Sequence, residues 1–213
     1  MGHAREEDAT REDRSRNSYL MLRRVIGVLG MILPLVLLIW GFALCGCGRI
    51  EDSISDYYGL RARDGLVGVL FTIAWFLFTY QGYERRDNVA GHLGCLFALG
   101  VALFPNSGAS WEKAVHFTSA AGFFLVLFFF SYYLFTKTGP TGVMTRQKRW
   151  RNRVYRTCGV AILICIGLIG LYHVLPLNES LAAIKPVFWL ESMALWAFGF
   201  SWLVKGETLW RDR

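Results

Sequence analysis

VIGVLGMILPLVLLIWGFALC, residues 25–45, carries no charged side chain over 21 consecutive positions. At a rise of 1.5 Å per residue such a helix reaches across a hydrocarbon layer of roughly 30 Å. Pro34 stands near the middle, where a membrane helix accommodates it as a kink. Further apolar runs follow at residues 65–80, 89–104, 115–135, 154–175 and 187–204. The second and third are short, and a thinned bilayer with snorkelling Tyr and Arg side chains at their ends brings them into range. The composition agrees: of 213 residues 54% are apolar, 15% aromatic and only 18% charged. Loops this short exclude a separate soluble catalytic domain. The expected fold is all-α, an integral membrane bundle of six transmembrane helices.

An even number of spans puts both termini on one side, and the basic residues choose which. The N-terminal segment, Arg85 and Arg86, the connection between the fourth and fifth spans, and the tail together hold 18 of 23 Lys and Arg residues. Only Arg49, Arg61, Arg63, Lys113 and Lys185 fall on the other side. Both termini are therefore expected in the cytoplasm, with the protein multi-pass in a cell inner (plasma) membrane. The same sorting explains the net charge of +7. Arg146, Lys148, Arg149, Arg151, Arg153 and Arg156 read as an anchor against anionic lipid headgroups, not a nucleic-acid patch. Residues 1–18, charged and almost free of apolar side chains, are expected as a disordered cytoplasmic arm. Residues 19–207 form the membrane domain and 208–213 a cytoplasmic tail.

Cys45 and Cys47 flank the outer end of the first span, where a C-x-C disulfide is a strained ring. Cys95, Cys158 and Cys165 lie within spans and are expected as small packing residues. Ala90, Gly94, Ala98 and Ala102 recur every four residues, a smooth face that admits another backbone closely. The Phe-rich fourth span, with Phe123, Phe124, Phe128, Phe129 and Phe130, is expected to face lipid, the alternative being the wall of an apolar cavity. Asn178-Glu179-Ser180 is an outward-facing glycosylation sequon by pattern alone.

Ionisable residues inside spans are costly and point to sites. Asp64, His116, His173 and Glu191 fall at similar depth near the outer surface, with His92 apart near the inner end of the third span. Ser119 shares the helix face of His116. Asp56, Tyr57 and Tyr58 in the preceding outer loop are placed to fold over the same mouth. Four readings stand side by side. A divalent ion with an activated water would use Asp64, His116, His173 and Glu191, but no H-x-x-x-H or H-x-x-E-H pair is present, so no metal is assigned. A metal-free arrangement would make His116 and Glu191 an acid/base pair with a serine nucleophile such as Ser119, and the catalytic candidates are His116, Glu191 and Asp64. A pocket without chemistry would have His116 and Glu191 hold a polar headgroup, with Asp56, Tyr57, Ser119 and His173 as ligand-binding residues around it. In the fourth reading Asp64 caps its helix and pairs with Arg63 or Arg61, while His116 and Glu191 hydrogen-bond between helices.

The order of features carries a resemblance. A proline-containing first helix is followed by Ser53-Ile54-Ser55-Asp56-Tyr57-Tyr58, then Phe104-Pro105, then Val115-His116 with Ser119, Ala120 and Ala121. This resembles a six-helix membrane-protein family of bacteria and archaea of unknown function. The layout is also similar to the eukaryotic damage-regulated autophagy modulators and GPI-anchor remodelling factors. The matching positions are Ile54, Ser55 and Asp56, then His116, then Glu191 with Ala194, Trp196 and Phe198. What the resemblance implies is a lipid-related role, with Asp56, His116 and Glu191 as site residues. A more distant likeness is to membrane hydrolases of the alkaline ceramidase and adiponectin-receptor group, whose zinc is held by several histidines and an aspartate. This chain departs from them in having six spans and no paired histidines in its last helix. The expected function is binding or modification of a lipid or amphiphile at a polar site facing the periplasmic leaflet, without a cofactor and with membrane lipids as partners. The alternative is a non-catalytic scaffold or assembly partner.

Overall fold

The computed structural model describes residues 2–45, 49–82, 84–138, 144–175 and 181–208. Among these are six α-helices: α1 (Gly2–Cys45), α2 (Arg63–Phe78), α3 (Arg85–Leu103), α4 (Ser110–Phe129), α5 (Arg146–Val174) and α6 (Pro186–Lys205). No strand occurs among the described residues, so the fold is all-α. A 3-10 turn at Ile54–Gly59 joins α1 to α2, and a π turn at Phe130–Leu134 prolongs α4. Every helix begins before its apolar run, because polar residues at helix starts remain good helix formers while hydropathy marks only the buried or lipid-facing part.

The largest departure lies at the N-terminus. The stretch expected as a disordered arm is helical from Gly2 onward and continuous with the first apolar run. Ala, Arg and Glu favour helix, and neither glycine nor proline interrupts residues 3–26. Once the apolar part is helical, extension avoids the cost of a new nucleus. Cys47, the sequon at 178–180 and all of the tail beyond Thr208 lie outside the described residues, as does the side chain of Cys45.

Among the described residues four helical stretches are long and apolar enough to cross a membrane: Asp13–Ala43, Ser110–Leu134, Arg146–Val174 and Pro186–Lys205. The 16 residues of α2 fall short in length. The opening Arg85-Arg86-Asp87 of α3 dilutes its apolar content. Large apolar side chains face outward on many sides of the molecule, among them Ile39, Trp75, Leu96, Phe117, Ile164 and Val174. So wide an apolar surface suits a lipid solvent.

Each helix packs on its sequence neighbours, and α6 closes the ring against α1. Close approach there depends on two glycines. A Cβ at Gly27 would lie 2.8 Å from the Gly199 carbonyl oxygen, and one at Gly199 would lie 2.5 Å from that of Gly27. Trp196 Nε1 also donates to the Met31 carbonyl at 3.1 Å. The small-residue face of α3 is used inside the bundle: Ala90, Gly94, Ala98 and Ala102 are buried, and α3 packs on both α2 and α4. Cys95, Cys158 and Cys165 are buried and unpaired, as packing residues. The expected lipid-facing role of the phenylalanines holds only in part, since Phe123 and Phe130 are buried in the core. The ring of Phe130 meets Tyr80 and Trp202.

The end of the bundle that carries the α4–α5 connection is joined by polar bonds. Lys137 Nζ lies 2.5 Å from Asp87 Oδ1 and 3.2 Å from Glu84 Oε2. Partial desolvation works against the Lys137 ammonium, but these two carboxylates outweigh it and hold its pKa above the ordinary lysine value. Arg151, expected among headgroups, is buried instead, donating to Tyr155 Oη and the Val204 carbonyl, while Arg146, Arg149, Arg153 and Arg156 remain exposed. A five-donor guanidinium on a helix facing α6 satisfies a helix C-terminus better than it reaches solvent.

Candidate functional site

The loop after α1 turns back into the bundle instead of arching over it. Ser53 caps the 3-10 turn: its Oγ accepts from the Asp56 N–H at 3.2 Å and donates to Asp56 Oδ2 at 2.8 Å. The turn buries Ile54, Ser55, Tyr57 and Tyr58. Two helices and the connection between α3 and α4 then grip it. Glu191 Oε2 on α6 accepts from the Ile54 N–H at 2.7 Å, and the Phe188 N–H donates to the Asp52 carbonyl at 3.0 Å. Asn106 Nδ2, just after α3, donates to Asp56 Oδ1 at 2.6 Å. His116 on α4 lies with Nε2 2.9 Å from Ser55 Oγ and Nδ1 2.7 Å from the Phe104 carbonyl oxygen. A carbonyl only accepts, so the proton sits on Nδ1 and Nε2 is the acceptor for the Ser55 hydroxyl.

A cavity of about 710 Å3 opens beside this knot. One end is polar, formed by Asp52, Ser55, Asp56, Asn106, His116 and Glu191, with Lys185 paired to Asp52. The other is apolar, walled by Phe117, Ala120, Phe124, Ile166 and Ile169. It exists because α4 and α5 touch at the end where they are connected and separate toward the other. A Cβ at Gly159 would press on Tyr132 at 2.8 Å, whereas one at Gly170, about three turns farther along the same face of α5, would have no neighbouring atom within 4 Å. Phe117, Ala121 and Gly170 on the two rims are exposed, so the cavity opens sideways between α4 and α5.

Of the residues singled out in the sequence, Asp56, His116, Glu191 and His173 line this one cavity. His173 sits at its edge, its Nδ1 turned to the Ile169 carbonyl at 2.8 Å. Three others do not join them. Asp64 is exposed in the first turn of α2 and does not line the cavity. Tyr57 is buried beneath the turn, its ring against Phe188 and Gly41. Ser119 is buried on the side of α4 that meets α3, where a Cβ at Gly100 would strike its Oγ. Ser119 and His116 share a helix face in the sense of spacing, yet His116 points to the loop.

Six polar cavity residues had no place among the sequence candidates: Asp52, Ser53, Ser55, Asn106, Tyr172 and Lys185. The capping pattern Ser53-x-x-Asp56 was the available signal that this loop is ordered. Nothing in local spacing brings Asn106 or Lys185 to it. Among the described residues no three His, Cys, Asp or Glu side chains are grouped to hold a metal ion. No family model, curated protein or solved structure matches this chain.

Proposed function

We propose that the protein crosses an inner (plasma) membrane six times, with both termini cytoplasmic, and holds an amphiphile at the outward-facing end of the bundle. The bias of basic residues toward the termini and the α4–α5 connection supports the orientation. One observation carries the binding reading: a single cavity has a polar end, an apolar body and a lateral opening between α4 and α5. A lipid enters such a cavity from the bilayer without passing through water. Its chain then lies along Phe124, Ile166 and Ile169, and its head meets Asp56, His116 and Glu191. The acceptors Asp56 and Glu191 favour a head bearing hydroxyl or ammonium donors.

The test is photo-crosslinking of the full chain in lipid nanodiscs with a phospholipid carrying a diazirine on its acyl chain. Adducts concentrated on α4 and α5 around Phe117, Ala121 and Ile169, and reduced at least about tenfold by Ala121→Trp at the opening, are the expected result. Adducts spread evenly over the outward faces of all helices would overturn the reading.

A further inference from the structure

We propose that Ser55 is a nucleophile for acyl transfer from carboxylic-ester lipids, with His116 as its general base. The proposal rests on the amphiphile cavity described above and adds a reaction to it. The hydrogen-bond directions decide the roles. Because the Phe104 carbonyl can only accept, His116 carries its proton on Nδ1 and turns the Nε2 lone pair to Ser55 Oγ at 2.9 Å. A hydroxyl donating to an imidazole nitrogen, whose other nitrogen is held by a third group, is the arrangement that activates serine. The third group here is a backbone carbonyl at 2.7 Å, which fixes tautomer and ring orientation.

Placement completes the case. Ser55 and His116 both line the cavity, beside the apolar wall of Phe117, Ala120 and Phe124. An ester at the junction of a lipid head and its chain comes to rest where those two surfaces meet. Asp56, on the same polar wall, supplies negative charge that favours the imidazolium formed during attack. Asn106 lines the cavity and uses one amide N–H on Asp56; its second N–H is assigned as the donor to the carbonyl oxygen as charge develops there.

In the first step Ser55 Oγ bonds to the ester carbonyl carbon while its proton passes to His116 Nε2. The bond from that carbon to the alcohol oxygen then breaks, and the leaving oxygen takes the proton from Nε2. The products are an acyl-Ser55 ester and a lysolipid or other alcohol. In the second step water attacks the acyl carbon, gives its proton to His116, and releases a carboxylic acid as Ser55 Oγ recovers that proton. A second alcohol in place of water gives acyl transfer.

The purified full chain in detergent is treated with two serine-directed probes, diisopropyl fluorophosphate and hexadecyl fluorophosphonate, and the adduct is located by peptide mass spectrometry. Each probe loses fluoride as Ser55 Oγ bonds to phosphorus. The expected result is a single adduct on Ser55, formed at least about 100-fold more slowly in His116→Gln, since general-base loss typically costs that much or more. Mapping the adduct in the wild-type chain makes the test independent of whether any variant folds. Ser55 unlabelled by both probes, in protein that still cross-links to the photolipid on α4 and α5, would overturn the acyl-transfer proposal and leave the binding reading standing. Labelling by the small probe without photolipid cross-linking would support the nucleophile and count against the cavity as a lipid site. Equal labelling rates in wild type and His116→Gln would remove His116 as the base.

Discussion

Glu191 Oε2 accepts the backbone N–H of Ile54 at 2.7 Å, so the last helix holds in place a loop 137 residues earlier in the chain. The bond satisfies a donor that the 3-10 turn leaves without a helical partner. It also brings Glu191 to the same wall as Asp56 and His116. Glu191→Gln keeps an acceptor oxygen and is expected to change stability by less than about 1 kcal/mol, whereas Glu191→Ala strands the Ile54 N–H and costs about 1–3 kcal/mol. Thermal unfolding in detergent reads the difference. Equal losses for both variants would mean that the bond does not hold the loop.

Gly27 and Gly199 set the closest approach of α1 and α6. A methyl group at position 199 meets the Gly27 carbonyl, a backbone atom that can move only if the helices separate. Gly199→Ala is expected to cost about 1–3 kcal/mol, the usual penalty of overpacking. Gly167→Ala, on an open stretch of α5, should have no such effect and should gain slightly from helix propensity. Paired melting curves of the two variants test the contrast.

Lys137 is held above the ordinary lysine pKa by Asp87 and Glu84, in spite of partial desolvation. A group whose folded pKa is raised contributes stability that is complete below the unfolded lysine pKa and is lost as pH rises through the higher folded value. The stability advantage of wild type over Lys137→Met should therefore be constant from neutral pH to the lysine range and decline above it. Melting temperatures of both proteins between about pH 7 and 11.5 follow this difference directly. A constant difference across the whole range would show that the two carboxylates do not hold the ammonium.

Asp64 stands exposed at the start of α2, away from the cavity. Asp64→Asn is expected to leave photolipid cross-linking unchanged within about twofold and stability within about 0.5 kcal/mol. A loss of cross-linking comparable to that of Ala121→Trp would place Asp64 at the site after all.

The proposed orientation sets Ser107 on the outer side and Arg149 on the inner side, both exposed. In a chain whose native cysteines are replaced, Ser107→Cys should react with a membrane-impermeant maleimide in intact cells. Arg149→Cys should react only after permeabilisation. The reverse pattern would invert the topology.

Much of the site was legible before any fold was known, and for one reason. A titratable group in an apolar run is costly, so His116 and Glu191 stood out wherever they pointed. The same reasoning misplaced Asp64, because depth along the membrane normal says nothing about position around the ring. It paired His116 with Ser119 by helical spacing, although the side chain of Ser119 turns to Gly100 of α3. Ser55 has no local mark of reactivity: an isolated serine in a polar loop is ordinary, and only the fold sets it 2.9 Å from an imidazole 61 residues away.

From the sequence alone follow the all-α class, the apolar segments and the asymmetry of basic charge, since hydropathy and charge are properties of consecutive residues. The N-terminal helix shows the limit even there, because whether residues 2–18 continue α1 depends on propensity coupled to a neighbouring nucleus rather than on polarity. The tertiary structure decided the rest. The separation of α4 from α5, the inward fold of the loop at Ser53–Asp56 and the meeting of Ser55, His116 and Glu191 each depend on contacts between residues far apart in the chain. Such contacts are chosen by which helix faces fit together, a three-dimensional packing choice that no local pattern records.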